Sequence, residues 1–211
     1  MSRTRTATTT TTAAALLTLP LTAVGLLATA AAPAAARPVP SLTCRGEGVD
    51  AEAPVRARAE AVIDAPLRTV WKLQTDVERW PGWQTHVTSA DRLDHGPFRP
   101  GSAFRWTTPV PPNPATPATS LDITSTVRQV ERGSCIRWTG PAVGEGLRIE
   151  GVHVWSFRKV PGGVLVRTEE THTGEQVEAN VPYATGVLKQ GLEAWVGELK
   201  AAAEARSCPR G

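Results

Sequence analysis

Val62-Ile63-Asp64-Ala65-Pro66 is the stretch that decides the fold, and it is followed by Val70-Trp71 and by Thr75-Asp76-Val77-Glu78-Arg79-Trp80-Pro81-Gly82-Trp83. Pro66 suits the first turn of a helix, because the N–H that it lacks would have no intrahelical partner there. The residues that then recur at helical spacing are Leu67, Val70, Trp71 and Gln74. The proline and glycine after Trp80 end that helix. This order predicts a strand, a short helix and an aromatic-rich bend.

The same residues resemble the opening signature of the START-like (SRPBCC) superfamily, in its polyketide cyclase/dehydrase and lipid-transport branch. That signature is a strand ending in Ile-x-Ala-Pro, a Val-Trp helix, and then Asp-x-x-x-Trp-x-x-Trp, which Asp76, Trp80 and Trp83 match. The resemblance covers roughly residues 55 to 205. It implies an α+β helix-grip fold, in which a curved seven-stranded antiparallel sheet wraps around a long C-terminal helix, with two short helices after the first strand. It is specific for fold and not for chemistry.

The pattern of the remaining chain agrees with that architecture. Val55 to Ile63 alternates apolar and polar residues, as a half-buried strand does. From about Val181 to Ala205 the period is helical, with an apolar stripe and charged residues off it. Turn signals between these two segments predict six further strands, at about 85–92, 102–109, 119–130, 134–140, 147–159 and 164–173.

Residues 1–36 are typical of an export signal. Arg3 and Arg5 precede an alanine-rich apolar run, and small residues stand before Arg37. The sequence therefore predicts a secreted protein with a cleaved signal peptide; an uncleaved N-terminal membrane anchor is the alternative. An extended arm over 37–54, a START-like domain over 55–206 and a tail over 207–211 follow. No stable membrane insertion is expected after cleavage.

Composition excludes several kinds of function. The chain of 211 residues carries a net charge of +3, and the loss of Arg3 and Arg5 with the signal lowers this to +1. No cluster of basic and aromatic residues suggests nucleic-acid binding. No Cys-x-x-Cys or Cys/His spacing suggests a metal site, and no nucleophile elbow, phosphate loop or dinucleotide fingerprint occurs. We expect a monomer that uses no cofactor.

Three cysteines remain after processing. In an oxidising compartment an odd number suggests one disulfide and one free thiol. Cys44 in the arm is predicted to pair with Cys135 in a strand, and pairing of Cys44 with Cys208 in the tail is the alternative.

A ligand cavity is expected between the sheet and the C-terminal helix. The inward positions of the first strand are mostly alanine, and Gly186 and Gly191 lie in the helix, so side-chain volume is missing on two sides. The alternative is that tryptophans fill the gap. The proline-rich stretch Thr107 to Thr119 is predicted either to form a semi-rigid lip at the cavity mouth, as the resemblance implies, or to be a plain surface loop.

The hairpin around Pro161-Gly162 predicts the polar groups of that cavity. If Val160 faces Gly163, paired residues have numbers that add to 323, and His153 faces Glu170. Likewise, if Gly140 faces Leu147, then Trp138 faces Ile149 and shares the inner face. The full predicted ligand-binding set adds residues of the bend, of another strand and of the C-terminal helix, and is Trp83, Trp106, Trp138, His153, Trp155, Phe157, Thr168, Glu170, Leu188 and Leu192. His172 is two residues after Glu170 in the same predicted strand, so it is predicted to lie on the same inner face.

Three functional hypotheses follow. The first is an exported protein that binds a small hydrophobic molecule, a lipid or a polyketide-like compound, in the cavity. The second is a cyclase or dehydratase in which His153 and Glu170 move protons as acid and base. The third is a protein-interaction module whose cavity is filled. A cross-strand His–Glu pair can equally be a structural contact, and a register slip of one residue would turn Glu169 inward instead.

Overall fold

The computed structural model of the protein describes residues 40–112 and 117–207. Its main sheet has seven antiparallel strands in the order β3-β9-β8-β7-β6-β5-β4. A two-stranded hairpin, β1 and β2, precedes them. The strands are β1 Thr43–Cys44, β2 Glu47–Gly48, β3 Val55–Ile63, β4 Ser89–Arg92, β5 Ala103–Val110, β6 Thr119–Glu131, β7 Cys135–Gly144, β8 Leu147–Val160 and β9 Gly163–Thr173. The helix-grip prediction is confirmed.

The helices follow the predicted order. Helix α1, Leu67–Thr75, begins directly after Pro66, and a 3₁₀ helix, Val77–Gly82, forms the aromatic bend. Helix α2, Glu175–Glu178, is a single turn that the sequence did not predict. Helix α3, Val181–Ser207, packs mainly against β3 and buries one stripe of side chains: Leu188, Leu192, Val196, Leu199 and Ala203. No helix in the described ranges is both long and apolar enough to cross a bilayer.

Strands β4 and β7 differ from their predicted bounds by about four residues, and the other predicted strands agree to within one residue. Strand β4 begins at Ser89 rather than near residue 85, because the residues before it bind α3 instead. The Gln84 amide donates to the Trp195 carbonyl at 3.2 Å, and the Thr85 N–H donates to the Glu198 carboxylate at 3.0 Å. These bonds hold the segment against the helix and away from the strand ladder.

The predicted register of the β7–β8 hairpin is wrong. Strand β7 continues to Gly144, which faces Leu147, so Trp138 faces His153 and Ile149 faces Ala142. The turn is the two-residue loop Glu145-Gly146, in which the positive φ of 65° at Gly146 suits a tight hairpin. The error is four residues, an even number, so every side chain keeps its predicted face. The β8–β9 register is confirmed, with His153 opposite Glu170.

The arm covers the outer face of the sheet. The β1–β2 hairpin turns at Arg45-Gly46, and Cys44 forms a disulfide with Cys135 of β7, with 5.4 Å between their Cα atoms. Cys208 lies outside the described residues. Cys44, Cys135, Val49 and Val154 form a small apolar cluster. The predicted extended arm is thus in part a hairpin fixed to the sheet.

Glu169 lies on that outer face. The alternative register, in which a slip of one residue would turn Glu169 inward, is therefore not the one observed. Its carboxylate is fully buried, accepts a hydrogen bond from the Leu42 N–H at 2.6 Å, and pairs with Arg58 at 2.9 Å and with Arg56. Burial raises the pKa of Glu169, but these donors and cations together hold it below its usual value. The carboxylate therefore joins the arm to β3 and β9.

The inner face divides into two apolar clusters. The aromatic cluster gathers rings from the sheet, the bend and α3, and its main members are Trp80, Phe104, Trp106, Trp138, Trp155, Phe157 and Trp195. The aliphatic cluster lies beside it, and its main members are Val55, Ala57, Leu121, Ala142, Ile149, Leu188 and Leu192. Only the second is built from small and medium-sized side chains.

Candidate functional site

The aromatic cluster fills much of the space in which a cavity was expected. Trp80 enters it from the 3₁₀ helix, and its ring centroid lies 4.9 Å from that of Trp195, 5.3 Å from Phe104 and 6.3 Å from Trp138. Trp80 and Trp155 are fully buried. Edge-to-face contacts of this kind add to the stabilisation from burial. The bend that the sequence predicted is therefore the element that inserts a large ring beneath the helix.

Most of the predicted aromatic ligand-binding residues pack in this cluster. Trp138, Trp155 and Phe157 each contact at least two other rings. Trp106 donates its indole N–H to the Ser125 hydroxyl at 3.2 Å. Trp83 is partly buried at the end of the 3₁₀ helix and packs against the cluster. Their predicted contact with a ligand stays a prediction.

A polar chain of four side chains, Thr168, His153, Glu170 and His172, lies at the edge of the aromatic cluster. His153 Nδ1 is 3.2 Å from Glu170 Oε2, and His172 Nε2 is 3.3 Å from Glu170 Oε1. His153 Nε2 is 2.5 Å from the Thr168 hydroxyl. Antiparallel pairing of β8 with β9 places His153 opposite Glu170, and the period of two places His172 on the same face. The alternation of residues along the strand predicts that His172 lies on the inner face. It does not predict that His172 contacts Glu170.

His153 is held in its neutral form. Burial lowers its pKa to about 4 against the opposing effect of Glu170. The rings of Trp138 and Trp155 lie 5.1 and 5.0 Å from the imidazole centroid. A neutral ring that donates from Nδ1 to Glu170 and accepts at Nε2 from Thr168 satisfies both nitrogens. Neither nitrogen is left for a reacting molecule at neutral pH.

Glu170 and His172 are the accessible members of the chain. Each side chain is 19% exposed, against 7% for His153. Burial raises the pKa of Glu170, but the imidazoles of His153 and His172 outweigh that effect and hold it below its usual value. An ionised carboxylate on an otherwise apolar inner face is a strong hydrogen-bond acceptor.

Small residues surround this carboxylate. Ala57 of β3 is its strand neighbour on one side, and Gly151 faces both His172 of β9 and Gly140 of β7. A methyl group added at Gly151 would lie 3.5 Å from the Gly140 carbonyl oxygen and 3.6 Å from Glu170 Oε1, both ordinary contacts, so the glycine leaves room for about one methyl group beside the carboxylate. Leu188 and Leu192 of α3 belong to the aliphatic cluster that borders it. Gly191, in contrast, is on the exposed side of α3, so the expectation that it widens the interior is wrong.

Four buried nitrogens have no hydrogen-bond partner among the described residues: Gln74 Nε2, Trp80 Nε1, Trp83 Nε1 and Trp155 Nε1. Gln74 is fully buried and accepts from the Trp195 indole N–H at 3.2 Å. Sequence reasoning placed Gln74 on the apolar stripe of α1 but assigned it no role. A polar residue on such a stripe is the signal that would have indicated it. Within the described ranges no group of acidic, histidine or cysteine side chains could hold a metal ion.

Comparison with known proteins identifies a family. The family model described as polyketide cyclase / dehydrase and lipid transport matches residues 54–204. A START superfamily protein from Mycobacterium smegmatis is 14% identical with a TM-score of 0.58, over 72% of this chain and 98% of that chain. The di-domain ARO/CYC StfQ of the steffimycin biosynthetic pathway is 17% identical with a TM-score of 0.55, over 72% and 51%. The Zhui aromatase/cyclase from Streptomyces sp. R1128 is 12% identical with a TM-score of 0.52, over 74% and 97%. A search of the curated proteins found no match.

Proposed function

This chain belongs to the polyketide cyclase / dehydrase and lipid transport family, and from that premise we propose that it binds a small hydrophobic molecule between the aliphatic cluster and α3. The observation that carries the proposal is the partly exposed pair Glu170 and His172 on an inner face of alanine, glycine and aliphatic residues. A mostly apolar site with a few orienting polar groups is the usual form of a small-molecule site.

The proposed ligand lies on the aliphatic side of His153. The aromatic side is packed, since Trp80 and Trp155 are fully buried and in contact with neighbouring rings. On the aliphatic side, the residues beside the carboxylate of Glu170 are the small Ala57 and Gly151, and no large side chain fills the position of either. A hydroxyl or other donor on the ligand would bind Glu170, while its apolar body would contact Leu188 and Leu192.

Binding is favoured over catalysis by the His153–Glu170 pair. A general acid or base needs a free proton site within reach of the substrate and a pKa near the working pH. Both nitrogens of His153 are engaged by Glu170 and Thr168, and the pKa of the imidazole is about 4. The imidazole instead holds Glu170 in place for the ligand.

A neutral fluorescent dye such as Nile red tests the proposal. We expect it to bind the full chain, and we expect Gly151→Leu to weaken binding at least about tenfold, because the new side chain occupies the volume beside Glu170. Gly151→Ala is the matched control, since its methyl makes only ordinary contacts. Equal binding by the Leu and Ala variants would show that the ligand does not lie there.

Turnover assays separate the enzyme hypothesis. If polyketide-like substrates are converted and His153→Ala lowers the rate ~10²–10⁴-fold, the pair is catalytic and the binding proposal is wrong. A binding protein shows no turnover and loses at most the affinity of one or two hydrogen bonds, about 0.5–3 kcal/mol. If no dye and no lipid extract binds, the cavity is filled and the interaction-module hypothesis replaces it.

We also propose that the protein is exported and that its mature form begins close to Arg37. The disulfide between Cys44 and Cys135 supports this, because such bonds persist in oxidising compartments. Amino-terminal sequencing of the protein from its own host tests it, and a mature protein that keeps Met1 would contradict it. Sedimentation of the same sample tests the expected monomer.

A further inference from the structure

A basic groove lies beside α1, and the proposed function does not use it. It is open, with a volume of about 1370 Å³, and it runs between α1, the β4–β5 connection, the β6–β7 turn and the C-terminal end of α3. None of its lining residues belongs to the polar chain or to the aliphatic cluster. It is therefore a separate place in the fold.

The charge of the groove is not a consequence of overall composition. Arg3, Arg5, Arg37 and Arg210 lie outside the described residues, which leaves 19 of the 23 basic residues against all 20 acidic ones. Yet seven of the eighteen lining residues are basic and only Asp76 is acidic. The seven are Arg68, Lys72, Arg79, Arg92, Arg132, Lys159 and Arg206.

Most of these cations have no ion-pair partner among the residues that the structure describes. Asp76 pairs with Arg79 at 3.4 Å, and Arg92 pairs with Asp94 at 2.7 Å. The other five make no ion pair with any residue that the structure describes, and all five are exposed: Arg68, Lys72, Arg132, Lys159 and Arg206. They come from four separate segments of the chain, so the groove gathers them by tertiary structure and not by local sequence.

The floor of the groove is apolar and fixed to the core. Leu67, Trp71, Phe98 and Val130 line it, are partly buried and pack against the aromatic cluster. The Trp71 ring lies 5.3 Å from that of Phe157, and the Phe98 ring 5.8 Å from that of Phe104. Side chains anchored in this way present a preformed surface to a ligand.

One wall is held by a hydrogen-bonded carboxylate. Asp94 accepts from Arg92 at 2.7 Å and from the Ser102 hydroxyl at 2.9 Å, and the Arg92 guanidinium lies 4.6 Å from the centre of the Phe98 ring. Arg92 thereby shields one face of Phe98. Contacts within the protein already order this wall, so a ligand binds it without the entropic cost of ordering its side chains.

We propose that this groove binds a monomeric anionic amphiphile, with a phosphate or carboxylate head among the free cations and an alkyl chain along Leu67, Trp71 and Phe98. Unpaired cations above an apolar, preformed floor match such a molecule in both charge and surface type. An anion without an alkyl chain would make no contact with the apolar floor. A neutral lipid would make no ion pair with the basic side chains.

Calorimetric titration of the full chain with dodecyl phosphate, below the concentration at which it forms micelles, tests the proposal. Lys72→Glu combined with Lys159→Glu reverses charge on two walls, and we expect it to weaken binding at least about tenfold. Arg45→Glu combined with Arg158→Glu is the matched control, because both residues are exposed and neither lines the groove. It should change the affinity less than about twofold. Circular dichroism and thermal unfolding establish that both variants are folded.

Further titrations identify the source of the binding. We expect dodecyl phosphate to bind more tightly than hexyl phosphate, by up to about fourfold per methylene group, and more tightly than inorganic phosphate. Dodecyltrimethylammonium, with the same chain and the opposite charge, should not bind the groove. Equal affinity of the reversed and control variants, equal binding of the cationic chain, equal binding of inorganic phosphate, or binding only to vesicles of anionic lipid would each overturn the proposal.

Discussion

We expect the stability of the protein to fall in mildly acidic solution, because the imidazole of His153 is buried. The pKa of His153 is about 4 in the folded protein, whereas an exposed histidine of the unfolded chain has its ordinary pKa of 6.5. Between these values the unfolded chain binds a proton that the folded protein does not, so stability is lost as the pH falls. Each pH unit in this range changes the free energy of unfolding by about 1.4 kcal/mol. From pH 7 to pH 5 the loss is therefore about 2 kcal/mol.

Urea unfolding at pH 7 and pH 5 measures this loss. We expect His153→Gln to remove most of the difference between the two pH values, because glutamine keeps a polar group beside Glu170 and Thr168 but does not titrate. His86→Gln is the control, since His86 is exposed, and it should keep the full pH dependence. In the unsubstituted protein the pKa of Glu170 is held below its usual value, so this carboxylate adds little to the loss of stability between pH 7 and pH 5. The reasoning is refuted if His153→Gln shows the same pH dependence as the unsubstituted protein, or if NMR titration finds His153 protonated at pH 6.

Three further predictions concern stability. Gly140→Ala should destabilise the protein by several kcal/mol in thermal unfolding, because its Cβ would lie 1.8 Å from the Thr124 carbonyl oxygen. Gly191 is exposed in α3, and an added Cβ there would have no neighbour within 4 Å, so Gly191→Ala should stabilise the protein by about 0.5–1 kcal/mol in the same assay. Replacing Cys44 and Cys135 by serine should cost about 2–4 kcal/mol in urea unfolding, because the 91-residue loop is no longer closed in the unfolded chain; an unchanged transition midpoint would contradict this. Glu169→Gln should cost about 2 kcal/mol or more, since it removes the buried negative charge that pairs with Arg56 and Arg58. Glu60→Gln, whose bridge to Arg167 is exposed, should cost less than about 0.5 kcal/mol in the same assay.

The sequence predicted what depends on local periodicity. Alternation along Val55 to Ile63 and the turn at Pro161-Gly162 are enough to place strands and to pair His153 with Glu170. A hairpin turn sets register over many residues, because each strand residue has one partner. In the β7–β8 hairpin the predicted strand ends at Gly140, whereas β7 continues to Gly144. The predicted pairing is therefore wrong by four residues, although each side chain lies on its predicted face of the sheet.

Tertiary structure alone decided what occupies the interior and what lies on the surface. No periodicity indicates that Trp80 from the bend inserts among the rings of Trp138 and Trp195, because that contact joins residues far apart in the chain. The sequence favoured pairing of Cys44 with Cys135 but left Cys208 as an alternative, and the position of the arm on the outer face decided between them. The basic groove brings Lys72 together with Lys159, which no local pattern could indicate. Local sequence determines which face a side chain takes, and packing between distant segments determines which side chains meet there.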